Sequence, residues 1–162
     1  MKKIFVTGID TNIGKTVVSA ILTEALGADY WKPIQVGNLD NTDTDFVRKL
    51  VSNPKSVFHP EVYRLTQPLS PHAAAAADGV KIEMNDIKRS MPLTDGRDLI
   101  IEGAGGTMSP VNDSLVMLDL IRLLDAEAVI VSKHYLSVFS HDFTVECFLF
   151  VDKSQRLYAG IT

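Results

Sequence analysis

The 162-residue chain is 46% hydrophobic and 22% charged, a size and balance that let one compact domain bury enough apolar surface to fold unaided. Its 16 Lys and Arg against 20 Asp and Glu give a formal charge of -4, which excludes a broadly nucleic-acid-binding surface and favours a small metabolite as partner. The single cysteine, Cys147, excludes an internal disulfide and a Cys-rich zinc site; it reads as a small buried hydrophobe in a reducing compartment.

Met1-Lys2-Lys3 leads into an apolar stretch too short for a signal-peptide core, and no later run approaches membrane-spanning length. A cytoplasmic protein without a membrane partner is expected. Ile4 to Thr7 predicts a first buried strand, and Lys15 to Leu26 a helix with Val17, Val18, Ile21, Leu22 and Leu26 on one side. Between them runs Gly8-Ile9-Asp10-Thr11-Asn12-Ile13-Gly14-Lys15-Thr16. Strand, glycine loop and helix start in that order form the context of a phosphate loop, in which backbone N–H groups wrap the phosphates. Lys15 can bridge β- and γ-phosphate oxygens, and the Thr16 hydroxyl can hold Mg2+. The generic motif has four residues between its glycines; here five separate Gly8 from Gly14.

Tyr30 to Lys32 predicts a second strand, with Lys32 fixed at its end before Pro33, a place suited to stabilising a transferring phosphoryl group. Thr44 to Val51 predicts a helix whose front carries Asp43 and Asp45; the helix dipole and metal binding account for these acids equally well. Ala73 to Ala77 favours helix, and Asn85 to Ser90 predicts another. Leu99 to Glu102 reads as an apolar strand ending in a carboxylate, followed by Gly103-Ala104-Gly105-Gly106, a Walker B-like arrangement that suits Mg2+ and close approach of backbone to a ligand. Val116 to Leu124 predicts a helix and Ala128 to Ser132 a strand. Alternating strands and helices predict a doubly wound, mainly parallel α/β sheet in a single P-loop domain over residues 1–162. Ligands of such sheets lie beyond the carboxyl ends of the strands, where Gly8, Lys32 and Glu102 stand.

Gly8 to Thr11 through Gly14-Lys15-Thr16, Trp31-Lys32-Pro33-Ile34-Gln35, Ser70-Pro71-His72 and Glu102 to Gly106 occur in this order. Together they resemble the dethiobiotin synthetase family over residues 1–141, and the extra loop residue with the Asp10-Thr11 pair is that family's variant. The resemblance implies an ATP- and Mg2+-dependent cyclo-ligase of biotin biosynthesis: 7,8-diaminononanoate takes up CO2, from dissolved bicarbonate, as a carbamate. ATP phosphorylates it, and the second amine displaces phosphate. It further implies that Asn12, Ile13, Gly14, Lys15, Thr16 and Val17, with Gly103, Ala104 and Gly105, hold the nucleotide. Thr16, Asp45 and Glu102 would surround the metal, Lys32 and Lys15 would be catalytic, and Thr11, Lys32, Val36 and Ser70 would lie on the substrate side. Members of the family are homodimers.

The sequence departs from the family at Val36, where a hydroxyl residue is usual, and at Ser137 and Ser140. Leu157 to Thr162 resembles the start of the next core strand, after which the family's adenine-reading residues follow, so a C-terminally shortened member is expected. The residues also suit an ATPase switch that binds a protein partner, or a catalytically weak paralogue; related switches carry a lysine where Asp10 stands.

Overall fold

A computed structural model of the protein describes residues 1–134, 145–151 and 157–161. In chain order the elements are β1 (Lys3–Gly8), α1 (Lys15–Leu26), β2 (Asp29–Trp31), β3 (Ile34–Val36), α2 (Asp43–Leu50), β4 (Phe58–His59) and β5 (Tyr63–Leu65). They continue as α3 (Pro71–Ala77), α4 (Met84–Arg89), β6 (Leu99–Glu102), α5 (Met117–Leu123), β7 (Glu127–His134), β8 (Val145–Val151) and β9 (Leu157–Ile161). The main sheet has the order β4-β2-β6-β1-β7-β8-β9, and β3 pairs with β5 in a separate two-stranded sheet. Pairings from β4 through β7 are parallel.

Helices cover both faces, so the central strands are buried on both sides and read as continuous apolar runs. Side chains alternate between two cores. Phe5, Trp31, Leu99 and Ile101 meet Ala74, Ile87 and Leu120 on one face, while Ile4, Val6, Tyr30 and Ile100 meet Val18 and Val47 on the other. In the parallel register, Tyr30 lies opposite Ile100 and Val6 opposite Glu102. The ends of β1, β2 and β6 therefore share one rim.

One expectation is corrected, and the course of one strand is defined. The buried face of α1 is carried by Val18, Ser19 and Thr23 with Leu22 partly covered, whereas Val17, Ile21 and Leu26 are exposed. On this face Thr23 Oγ1 donates back to Ser19 O at 2.7 Å, which satisfies its buried hydroxyl within the helix. The strand β9 does not extend the parallel core: it runs antiparallel to β8, which itself runs antiparallel to β7. Only residues 135–144 separate β7 from β8, less chain than a parallel crossover needs. The short strands β3, β4 and β5 lack enough residues to display a period. Ser137 and Ser140 lie outside the described residues. Among the described residues, no helix is long and apolar enough to cross a membrane.

Candidate functional site

The phosphate loop is shaped by backbone geometry. Gly14 has φ 94°, the left-handed region that favours glycine, and serves as N-cap of α1. No side chain caps α1, and its first turn carries no acid; its leading N–H groups are thus left for an anion. Lys15 is folded back on the loop, its Nζ donating to Asp10 O at 2.8 Å. Burial, and secondarily the charge of Lys32, lower its pKa from the ordinary lysine value. The turn after β6 locks onto this loop. Thr107 donates to Gly8 O through its backbone N–H at 2.7 Å and its Oγ1 at 3.0 Å. A Cβ on Gly106 would stand 3.1 Å from the carbonyl oxygens of both Gly8 and Ile9.

Glu102, at the end of β6, is 1% exposed. Its Oε1 accepts from Thr16 Oγ1 at 2.9 Å and from Lys32 Nζ at 3.1 Å, and its Oε2 accepts from Tyr30 Oη at 2.9 Å. The Lys32 ammonium, also buried, lies 2.7 Å from Asp43 Oδ2. Burial alone would lower the pKa of Lys32, but the carboxylates of Glu102 and Asp43 outweigh it and hold the pKa above the usual lysine value. Lys32 is therefore a permanent cation. Burial first, and then the charge of Glu102, push the Tyr30 phenol well above its ordinary pKa, so it remains a donor. Gln35 fixes the approach of Asp43: its Oε1 accepts from Asp43 N at 3.3 Å while its Nε2 donates to Gly37 O at 2.9 Å.

The structure thus gathers Lys15, Thr16, Lys32 and Glu102, drawn from three predicted segments, and adds Asp43 and Tyr30. It separates Asp45 from them. The Oδ2 of Asp45 accepts from the backbone N–H and Oγ1 of Thr42 at 3.0 and 2.8 Å, closing a capping box, and its Oδ1 lies 3.6 Å from Arg48. Asp45 thus serves the helix terminus, and Asp43 is the acid that faces Lys32. At the first helical position Asp43 projects toward β2, while two residues later the side chain has turned back over the cap.

Thr11 is exposed and its backbone N–H donates to Asp10 Oδ1 at 2.7 Å. Val36 packs partly buried against the core, and the Ser70 hydroxyl lies 3.1 Å from His72 Nδ1 at the start of α3. Asn12 takes a left-handed φ of 55°, Ile13 and Ala104 are buried, Val17 is exposed, and Gly103 presses so closely on Phe5 that a Cβ would stand 2.8 Å from the ring. Sequence patterns did not single out Tyr30 or assign a role to Gln35. Both stand within or beside the Trp31-to-Gln35 segment, and same-face spacing of two from Lys32 was the available sign for Tyr30.

The donor set fits Mg2+. The two carboxylates and one hydroxyl are hard oxygen ligands, and the ammonium seated among them marks a place that demands positive charge. Among the described residues, no group of three His, Cys, Asp or Glu could hold a metal ion, so phosphate and water oxygens would complete the shell, the usual situation for a nucleotide-bound Mg2+. A cavity of about 430 Å³ lined by His72, Ile82, Val111, Asn112 and Leu115 includes none of the cluster residues.

A parallel sheet with a glycine loop at the first strand end, a Lys-Thr helix start and a buried carboxylate on the neighbouring strand defines a P-loop nucleoside-triphosphate-binding protein. The AAA domain family profile matches residues 2–153. The chain is 53% identical to the ATP-dependent dethiobiotin synthetase BioD of Cytophaga hutchinsonii over 87% of its own length and 67% of the relative's. The corresponding protein of Christiangramia forsetii is 54% identical over 86% of this chain and 66% of its own, and that of Chlamydia pneumoniae 46% over 87% and 62%. The chain belongs to the dethiobiotin synthetase family and spans about two thirds of the length of these curated relatives.

Proposed function

We propose that the protein is an ATP-dependent ligase closing the ureido ring of dethiobiotin from 7,8-diaminononanoate and CO2, as a cytoplasmic homodimer. The observation that carries this reading is the buried Lys32 ammonium, 2.7 Å from Asp43 and 3.1 Å from Glu102, on the same rim as the phosphate loop. In the reaction one amine adds to CO2 to give a carbamate. A carbamate oxygen takes the γ-phosphoryl group as ADP leaves, and the second amine attacks the activated carbon and expels phosphate. Anionic species crowd the reacting centre at each stage, so fixed cations in a dry site supply stabilisation that water cannot preorganise.

Lys15 would lie along the β- and γ-phosphates, with residues 12–17 cradling them and the backbone of Gly103, Ala104 and Gly105 beside the nucleotide. Lys32 would meet the carbamate, and Thr11, Val36 and Ser70 would border the diamine. Thr16, Asp43 and Glu102 would hold Mg2+, which when bound neutralises phosphate charge. The test is ADP release measured with and without diamine and bicarbonate. Turnover should require both, and Lys32→Ala should lower it by about 100- to 1000-fold while the triphosphate still binds. Equal ADP release without diamine, or full activity in Lys32→Ala, would overturn the reading.

A further inference from the structure

Tyr30 lies opposite Ile100 in the parallel register, and Glu102 is two residues further on the same face of β6. A side chain leaning along β2 therefore reaches the carboxylate from below. Its ring is fully buried among Ile4, Val6, Val18 and Ile100, with the Phe58 ring centroid 6.1 Å away. Only its hydroxyl has a polar task, donating to Glu102 Oε2 at 2.9 Å. The two oxygens of Glu102 are thereby divided: Oε2 is occupied by the phenol, and Oε1 is turned toward Thr16 and Lys32.

We propose that Tyr30 is a positioning residue for the metal–nucleotide site, its hydroxyl clamping one oxygen of Glu102 so that the other is presented to a divalent cation. The inference rests on the reading of Glu102 as a metal-holding carboxylate. A glutamate carries three side-chain torsions, and an unclamped carboxylate could swing both oxygens onto the Lys32 ammonium. A clamp built on an immobile aromatic ring removes that alternative before the cation arrives. Partners that orient a metal-binding carboxylate characteristically change metal affinity when lost, without touching the metal themselves.

The decisive variant is Tyr30→Phe, which keeps the ring and deletes only the hydroxyl. Mn2+ binding to the full chain in the presence of ADP can be followed by the electron paramagnetic resonance signal of free Mn2+, alongside ADP binding in EDTA. Tyr30→Phe should weaken Mn2+ binding by about 10-fold and leave metal-free ADP affinity within about twofold. Phe58→Leu, which disturbs the ring's neighbour but not the hydroxyl, should leave Mn2+ affinity unchanged. Glu102→Gln should abolish the Mn2+ site. Unaltered Mn2+ affinity in Tyr30→Phe would overturn the clamp while leaving the metal reading intact. So would an equal loss in Phe58→Leu or an equal loss of metal-free ADP affinity, each of which would mark a packing effect. Undiminished Mn2+ binding in Glu102→Gln would overturn the metal reading itself, and the clamp with it.

Discussion

Asp43 and Asp45 occupy the same helical turn, yet their surroundings give them different work. Asp45 accepts both donors of Thr42, and these hydrogen bonds, side chain first, hold its pKa below the ordinary carboxylate value. Asp43 instead meets the Lys32 ammonium at 2.7 Å. Asp43→Asn should therefore depress metal-dependent ADP release by at least about 10-fold with little change in melting temperature. Asp45→Asn should do the reverse, lowering the melting temperature because an amide is a poorer acceptor for the N-cap, while turnover stays near wild type. Parallel activity and thermal-melting measurements separate the two; a swap of these outcomes would assign the metal role to Asp45. Composition alone could not distinguish acids two positions apart, since both satisfy the helix dipole.

At the scale of elements, the turn after β6 and the phosphate loop act as one unit. Thr107 binds Gly8 O twice, and Gly106 leaves no room for a Cβ without moving the carbonyls of Gly8 and Ile9 by a few tenths of an ångström. Gly106→Ala should cost about 1 kcal/mol of stability and should also weaken triphosphate binding, because the displaced atoms belong to the loop itself. Calorimetric titration with ATP and a melting curve on the same sample would check both. A stability loss with unchanged ATP affinity would show that the loop adjusts independently of the turn.

Across the whole molecule, the end of the sheet opposite the site is held by Asp29. This fully buried carboxylate accepts from Arg97 Nε at 2.7 Å and Nη2 at 3.2 Å and from Val57 N at 3.0 Å, with His59 Nε2 at 3.3 Å. It thus joins β2 to β4 and to the segment entering β6. Burial opposes its ionisation, but the bonds from Arg97, Val57 and His59 outweigh that and depress its pKa. A depressed folded pKa contributes stability that is present in full above the unfolded value of about 3.9 and is lost as pH falls through the lower folded value. Arg97→Ala should cost about 2 kcal/mol near neutral pH, the scale of a hydrogen bond to a charged group. It should also flatten the fall of stability on acidification, read from urea unfolding at stepped pH. An unchanged acid profile would remove Asp29 from the linkage.

Local sequence determined much of the fold and part of the site. The helix over Lys15–Leu26 and the strand over Leu99–Glu102 were bounded in the sequence as they are in the structure, because a glycine loop and an apolar run between polar turns are punctuated locally. Lys15, Thr16, Lys32 and Glu102 could be singled out because strand ends and loop motifs are themselves short-range features. The exposed positions of Val17 and Ile21 and the antiparallel course of β9 depend on which faces and edges meet, and no window of sequence contains that partner. The same holds for Tyr30, whose apolar setting reads as core until its Oη is seen 2.9 Å from Glu102, 72 positions along the chain. Sequence by itself therefore fixed the phosphate loop, the strand-end carboxylate and the lysine. Tertiary structure alone decided that Asp43 joins them and Asp45 does not, and that Tyr30 holds the carboxylate, since a buried ion's partners are set by distances across the sheet.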